Sequence, residues 1–164
     1  MESRNEIKNE NCHTMKIIID TREQTPLKFT HFEAERGTLQ SGDYSIAGLT
    51  HRFAIERKSI DDLTQSITTG RERFERELHR LRGFDFARLL IIGTETEIRQ
   101  HRYRRRVQPK SVLHSLYAFE VRYQIPVIWA GTAANAAALI ERWAFWFARE
   151  VTNAAEGMNK EMTI

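Results

Sequence analysis

The chain has 164 residues, of which 41% are hydrophobic and 29% are charged, and its formal net charge is +3. This composition is globular rather than disordered, and the length suits one compact domain with its own core. No apolar run reaches the ~20 residues of a membrane-spanning helix, so a membrane protein is excluded. The single cysteine, Cys12, excludes an internal disulfide framework and a cysteine-based zinc cluster. We therefore expect a cytoplasmic protein whose basic excess favours an anionic partner, nucleic acid above all.

The first third of the chain predicts a disordered leader followed by strands. Residues 1–14 are polar and aperiodic, which is typical of a leader without a fixed fold. The apolar run "MKIIID" predicts a buried strand that ends at Asp20, and "TREQTP" predicts a loop after it. The glycine-bounded segment "SGDYSIAG" and the segment "RFAIERK" predict the two arms of a hairpin.

The rest of the chain alternates between helical and strand patterns. "SIDDLTQSITTG" and "RERFERELHRLRG" predict two successive helices, and "ARLLIIG" predicts a buried strand. A short helix in "TETEIRQ", a basic connection, a helix in "SVLHSLYAFEVRYQ" and a strand in "IPVIWA" follow. A long helix in "TAANAAALIERWAFWFAREV" ends the fold, and 151–164 is expected to be a flexible tail. This order predicts an α/β fold with a mixed central sheet flanked by helices.

The segment "FAIERKSIDDL" (53–63) places alternating charges at the end of an apolar strand. Because residues i and i+2 of a strand share a face, Glu56 and Lys58 should point the same way and Arg57 the opposite way. Asp43, in the neighbouring arm, and Asp20, at the first strand end, bring two further carboxylates to this edge. Such oxygens suit Mg²⁺, and a metal beside an ammonium group suits phosphodiester hydrolysis.

Four ordered motifs carry a resemblance to a known family. "IDTRE" (19–23), "SGDY" (41–44), "IERKSIDDL" (55–63) and "GR" (70–71) resemble the nuclease domain of XPF- and Hef-type structure-specific endonucleases. The resemblance implies a restriction-endonuclease-like nuclease domain over 15–150, Mg²⁺ or Mn²⁺ as cofactor, and cleavage of branched DNA such as flaps and forks. It implies metal ligation by Asp20, Asp43 and Glu56. The implied catalytic residues are Asp20, Asp43, Glu56, Arg57, Lys58 and Asp62.

Several roles at this site stay open. Ser59 and Asp62 also form the pattern of a helix capping box, so Asp62 is a catalytic acid, a cap, or both. Asp20 is either a direct metal ligand or a supporting residue, and Arg57 orders the site or binds phosphate. Asp61 is interpreted as a partner of the helix dipole.

The chain also departs from the family's pattern. Gly93 stands where the family has an acid, and the chain has no room for the helix-hairpin-helix module that usually follows, so a stand-alone form is expected. A nuclease for linear duplex or single-stranded DNA, in a phage or restriction context, is therefore an alternative. A non-catalytic DNA-binding subunit is another.

Arginines outside the strand end are candidates for DNA binding because cations that neutralise phosphates release counterions. Arg22 and Arg71 lie within the matched motifs, and the basic connection "RQHRYRRRVQPK" (99–110) contains no acid. Its candidate residues are Arg102, Arg104, Arg105 and Arg106, and a solvated loop is the alternative interpretation.

Aromatic side chains crowd the final helix, with Trp143, Phe145, Trp146 and Phe147 within five residues. Because such a cluster cannot face one core at helical spacing, part of it is expected to cover a neighbouring element or to form a dimer face. The resembled family dimerises through C-terminal helices, which implies a homodimer. Packing within the monomer is the alternative.

Overall fold

The computed structural model describes residues 15–163, so the predicted leader lies outside the described residues. Six strands form one sheet in the order β2-β1-β3-β4-β5-β6. β1 runs parallel to β2 and antiparallel to β3, β3 runs antiparallel to β4, and β4, β5 and β6 are parallel. The predicted mixed sheet is confirmed. The strands are β1 (Lys16–Asp20), β2 (Glu33–Gly37), β3 (Tyr44–Ile46), β4 (Phe53–Ser59), β5 (Phe86–Ile92) and β6 (Val127–Trp129).

Helices cover both faces of the sheet, and the alternation within β4 explains how. Ala54 packs with the cluster beneath α1, α2 and α4, whereas Phe53 and Ile55 pack with the cluster beneath α5. The period of two thus supplies both cores from one strand. The helices of the described chain are α1 (Ile60–Ile67), α2 (Arg71–Leu81), α3 (Glu95–Arg99), α4 (Pro109–Tyr123) and α5 (Ala133–Met162).

The strand β2 has no counterpart among the predicted elements. Its sequence, EAERG, carries no buried residue because β2 is an edge strand that pairs only with β1. The loop that enters it is held from α5, where the buried carboxylate of Glu141 accepts hydrogen bonds from the backbone N–H groups of Thr30, His31 and Phe32, at 3.3, 2.6 and 3.0 Å. A tertiary contact therefore fixes a strand that lacks an apolar pattern.

Helix α5 is longer than the sequence predicts. It continues to Met162, through the segment expected to be a flexible tail, because most of "VTNAAEGMNKEM" is good helix former and no proline interrupts it. Trp143 and Phe147 pack against Phe86, with ring centroids at 5.8 and 6.1 Å, whereas Trp146 is 58% exposed. The aromatic cluster is thus divided between core and surface. No helix within 15–163 has the length and apolarity needed to cross a membrane.

Candidate active site

The loop before β3 places Asp43 between the ends of β1 and β4. Asp43 donates its backbone N–H to the carbonyl of Ile55 at 2.8 Å, and its own carbonyl accepts from the N–H of Asp20 at 2.9 Å. Gly42 precedes it with φ at +79°, and a Cβ there would lie 3.2 Å from the Ile55 carbonyl oxygen. Only glycine meets both demands without strain, which explains the Gly-Asp pair.

Asp43, Glu56 and Lys58 lie together at the end of β4. Glu56 Oε1 lies 3.3 Å from Lys58 Nζ, which confirms that these side chains share a face. Asp43 Oδ2 accepts the backbone N–H of Arg57 at 2.8 Å. Burial raises the pKa of Asp43 to about 6. Burial, together with the negative charge of Asp43, raises the pKa of Glu56 to about 8. The metal-free site therefore disfavours ionisation of both carboxyl groups, and Lys58 alone does not compensate their negative charges.

A divalent cation fits this uncompensated pair. Neither Asp43 Oδ1 nor Glu56 Oε2 accepts a hydrogen bond from any group within 15–163. Mg²⁺ is often held by one or two carboxylates while it keeps several waters. The described residues contain no cluster of three or more Asp, Glu, His or Cys side chains arranged around a metal. The donor set that the structure offers is thus Asp43 and Glu56, and the predicted third ligand is not assembled with them.

Asp20 is buried, but its carboxylate is already occupied by protein donors. Oδ1 accepts from the backbone N–H and the Nε of Arg22 at 2.9 and 2.7 Å, and Oδ2 accepts from the N–H of Leu39 at 2.8 Å. Burial alone would raise the pKa of Asp20, but the hydrogen bonds from Arg22 and Leu39 lower it. Its geometry suits the supporting role better than direct ligation. Arg22, predicted to bind DNA, also donates to the Leu39 carbonyl at 3.1 Å.

Arg57 points away from Glu56 and Lys58, as predicted. Its Nη1 donates to Glu23 Oε2 and to the Thr25 carbonyl, both at 3.0 Å. The Tyr44 hydroxyl donates to the same Glu23 oxygen at 2.7 Å and accepts the N–H of Leu27 at 2.9 Å. Arg57 therefore fixes the loop after β1 with its side chain and holds Asp43 with its backbone.

The two acids at the start of α1 have different surroundings. Ser59 Oγ accepts the N–H of Asp62 at 3.1 Å, which makes Ser59 the N-cap, but Asp62 does not return a bond to Ser59. Half of the capping box is present, and the exposed Asp62 carboxylate has no hydrogen-bond partner within 15–163. Asp61, interpreted only as a helix-dipole partner, also accepts the N–H of Arg104 at 3.1 Å. That contact joins the basic connection to the site.

One site residue was missed by sequence reasoning. Glu77 reaches from α2 to the Gly-Asp turn, where its Oε1 accepts the N–H of Gly42 at 2.9 Å. Its charge also raises the pKa of Glu56. In sequence, Glu77 is one of several acids that alternate with arginines on a charged helix, and no local signal distinguishes it from them.

The candidate DNA-binding arginines fall into two groups. Arg71 donates Nη1 to Ser115 Oγ at 3.0 Å, and its guanidinium lies 4.9 Å from the Phe119 ring centre, so it links α2 to α4. Arg104 pairs with Asp61 at 3.7 Å. Within 15–163, the side chains of Arg102, Arg105 and Arg106 form neither an ion pair nor a hydrogen bond. These three are free to meet phosphate.

The structure also accounts for the glycine that replaces the family's acid. A Cβ on Gly93 would lie 2.5 Å from Ile60 Cγ1, and φ there is +149°. Any side chain at this position would have to displace the first residue of α1. Glu95, two residues later, pairs instead with Arg99 of its own helix.

Comparisons with known proteins agree with this fold. The sequence model of the ERCC4 domain family matches residues 19–142 of this chain. XPF from Aeropyrum pernix is similar in structure, with a TM-score of 0.66 and 22% identity over 86% of this chain and 69% of that one. Its complex with DNA has a TM-score of 0.66 and 21% identity over 82% and 66% of the two chains. The chain thus spans about two thirds of the length of those XPF chains, and no curated protein matches it. It belongs to the ERCC4 domain family and has the fold of an XPF-type nuclease domain.

Proposed function

We propose that this domain is a metal-dependent endonuclease that hydrolyses phosphodiester bonds in branched DNA, at flaps, forks or junctions. The observation that carries the proposal is the pair formed by half-buried Asp43 and buried Glu56, whose pKa values are raised and of which Glu56 lies 3.3 Å from Lys58. Perturbed acids in company with a cation are typical of catalytic sites. Asp43 and Glu56 would hold Mg²⁺ or Mn²⁺.

The bound metal would supply Lewis-acid chemistry to the scissile phosphate and the attacking water. Lys58 supplies the second cation, and its Nζ donates a hydrogen bond to the water or to a phosphoryl oxygen as charge develops. The Phe74 ring, 5.2 Å from this Nζ, packs against the ammonium group. Water attack at phosphorus, with cleavage of the P–O3′ bond and departure of the 3′ oxygen, leaves a 5′-phosphate and a 3′-hydroxyl as the expected products.

The remaining catalytic candidates position this centre. Arg57 holds Asp43 through its backbone N–H, and Asp20 holds the Asp43 carbonyl in the same way. Asp62 is one turn from Lys58 with a free carboxylate, so it is suited to orient a water while its N–H completes the cap. Asp20 would support the site through these hydrogen bonds and would not bind the metal directly.

Contact with DNA is assigned to Arg22 and Arg71 and to the basic connection with Arg102, Arg104, Arg105 and Arg106. The Arg22 side chain is 71% exposed next to the site, which suits contact with the cleaved strand. The similarity to XPF in complex with DNA supports DNA as the partner of this domain. The branched substrate is supported by the motif resemblance, and the two alternatives are a nuclease for linear DNA and a DNA-binding subunit without catalysis.

A cleavage panel tests the proposal. Flap, fork, four-way and linear DNA are incubated with Mg²⁺ and, separately, with Mn²⁺, using the wild type and Lys58→Ala. We expect metal-dependent cleavage that is fastest on branched DNA and is lost in the variant. Equal rates on linear duplex would favour the linear-DNA nuclease, and binding without any cleavage would favour the non-catalytic subunit.

A homodimer through α5 is the second part of the proposal. Trp146 is exposed, and the Phe145 ring lies edge-on to it at 5.4 Å, so an aromatic surface is left on the side of α5 away from the sheet. Exposed aromatics are enriched at interfaces. Sedimentation of the wild type should give the mass of two chains and Trp146→Ala the mass of one; a wild type of one-chain mass at micromolar concentration would exclude the dimer.

A further inference from the structure

An open cleft between α3 and α4 lies outside the carboxylate site. Its volume is about 360 Å³, and it is lined by Arg99, Pro109, Lys110, Leu113, His114 and Tyr117. Arg99 pairs with Glu95, whereas Lys110 has no acidic partner within 15–163, so Lys110 gives the cleft a site for an anion. Pro109 and Leu113 supply an apolar wall, which an anion alone would not require.

The aromatic side of the cleft suits a nucleobase. Tyr117 is 48% exposed, although large aromatic side chains are usually covered. The His114 ring lies edge-on to it at 5.9 Å. Glu95 pairs with Arg99, and Tyr117 donates its hydroxyl to the same carboxylate at 3.5 Å, so both side chains are oriented. Lys110 forms no ion pair within 15–163 and is free for a phosphate.

The basic connection joins this cleft to the catalytic strand end. Near its middle, the backbone N–H of Arg104 bonds to Asp61 at the start of α1, three residues after Lys58. At its C-terminal end, Pro109 and Lys110 open α4 and line the cleft. The connection is also bonded to itself, since the Tyr103 hydroxyl donates to the Val107 carbonyl at 2.8 Å. It is therefore an exposed basic track that its own hydrogen bonds and the bond to Asp61 hold in place.

We infer that the α3/α4 cleft binds unpaired nucleotides of the DNA substrate, with a base stacked on Tyr117 and a phosphate on Lys110. The strand would follow the basic track between the cleft and the strand end. Duplex DNA does not suit this cleft, because the bases of a duplex stack on one another and thereby cover the faces that would stack on an aromatic ring. This inference rests on the proposed function and adds a site for the single-stranded arm of a branched substrate.

Fluorescence anisotropy of a labelled oligothymidine, with the full chain and EDTA in place of divalent metal, tests the cleft without requiring cleavage. Tyr117→Ala should weaken binding roughly 5- to 100-fold, since base stacking has that magnitude, and Tyr117→Phe should bind like the wild type. Lys110→Ala should reduce the slope of log affinity against log salt concentration by about one, because one counterion fewer is released on binding. Val121→Ala, on the same helix and 82% exposed in the wild type, and Lys160→Ala, on the exposed end of α5, are matched controls that should change nothing.

Two outcomes would overturn the cleft assignment. One is a Tyr117→Ala variant that binds oligothymidine as tightly as Val121→Ala does. The other is a Tyr117→Ala variant whose affinity for blunt duplex DNA falls by as much as its affinity for oligothymidine. Neither result depends on catalysis, whereas failure of the proposed function would appear as a wild type that cleaves nothing with Mg²⁺ or Mn²⁺.

Discussion

The ends of β1 and β4 carry buried acids in opposite states. At the end of β1, Asp20 accepts hydrogen bonds from Arg22 and from the Leu39 N–H, and its pKa is lowered. At the end of β4, Glu56 has Lys58 as its one ionic partner within 15–163, Asp43 keeps an open oxygen, and the pKa values of both acids are raised. Burial alone therefore does not identify a metal ligand. The useful distinction is whether protein donors already satisfy the buried carboxylate.

The largest expected effect comes from neutralising the end of β4. Glu56→Gln should reduce cleavage about a thousandfold or more, because the metal's contribution to such reactions amounts to several kcal/mol. Single-turnover cleavage of the preferred branched substrate measures this. Glu150→Gln, an exposed change on α5, is the matched control and should cleave like the wild type. Wild-type rates in Glu56→Gln would remove Glu56 from the site.

Lys58→Ala should leave metal binding in place and reduce the cleavage rate about 10²- to 10³-fold, the usual effect of losing one group that stabilises developing charge. The same single-turnover assay at saturating Mg²⁺ separates this from a binding defect. Lys160→Ala serves as the charge-matched control. If excess metal restored Lys58→Ala to full activity, Lys58 would act on the metal site rather than on the reaction.

Asp20→Asn should produce a different failure, in stability rather than in chemistry. The change weakens charge-assisted hydrogen bonds to a buried carboxylate, at a cost of about 2 kcal/mol in the free energy of unfolding. Urea denaturation followed by circular dichroism measures it. Asp85→Asn, in the exposed pair with Arg52, should cost far less. Equal losses of unfolding free energy in Asp20→Asn and Asp85→Asn would contradict the difference between the buried and the exposed carboxylate.

The two strand ends should also respond oppositely to pH in metal-free protein. The raised pKa values of Asp43 and Glu56 mean that the folded state binds more protons than the unfolded chain between their ordinary values and about 6 and 8. Their contribution to stability therefore falls as pH rises through that window. The lowered pKa of Asp20 contributes stability that is lost on acidification instead.

Glu56→Gln should flatten the decline in stability above pH 5, as measured by urea midpoints across the pH range without metal. Its free energy of unfolding at pH 8 should exceed that of the wild type by about 1–3 kcal/mol, because a poorly compensated buried charge is removed. A wild type whose stability rises steadily from pH 5 to pH 8 would show that Glu56 is already compensated.

The smallest effect is expected at Glu77, which supports the Gly-Asp turn from outside the site. Glu77→Ala removes one acceptor and should slow cleavage about tenfold, in line with the free energy of one hydrogen bond. Glu77→Gln keeps an acceptor oxygen and should retain most of the rate. Rates that depend on the charge, with Gln as slow as Ala, would show that Glu77 acts through electrostatics rather than by positioning Gly42.

Sequence reasoning succeeded where the chemistry follows local periodicity. The period of a strand placed Glu56 and Lys58 on one face and Arg57 on the other, and the contacts agree. It failed for contacts with backbone groups that are far away in the sequence. The N–H that Leu39 donates to Asp20, and the reach of Glu77 to Gly42 across 35 positions, follow from loop geometry that no spacing encodes.

The fold shows the same division between local pattern and tertiary contact. Apolar runs predicted β1, β4 and β5, whereas the exposed strand β2 depends on its pairing with β1 and on Glu141 for its entry. The predicted flexible tail is helical through Met162, because helix propensity continues beyond the last apolar side chain that packs on the sheet. Apolar sequence patterns indicate buried elements, so they do not predict the exposed strand β2 or the exposed end of α5.

Calorimetric titration with Mn²⁺ tests the central claim most directly, because it separates the two strand ends without any substrate. The account predicts that the wild type and Asp20→Asn bind the metal, and that Asp43→Asn and Glu56→Gln, confirmed as folded by circular dichroism, do not. Wild-type affinity in Glu56→Gln, or loss of binding in folded Asp20→Asn alone, would contradict it and move the metal to the end of β1.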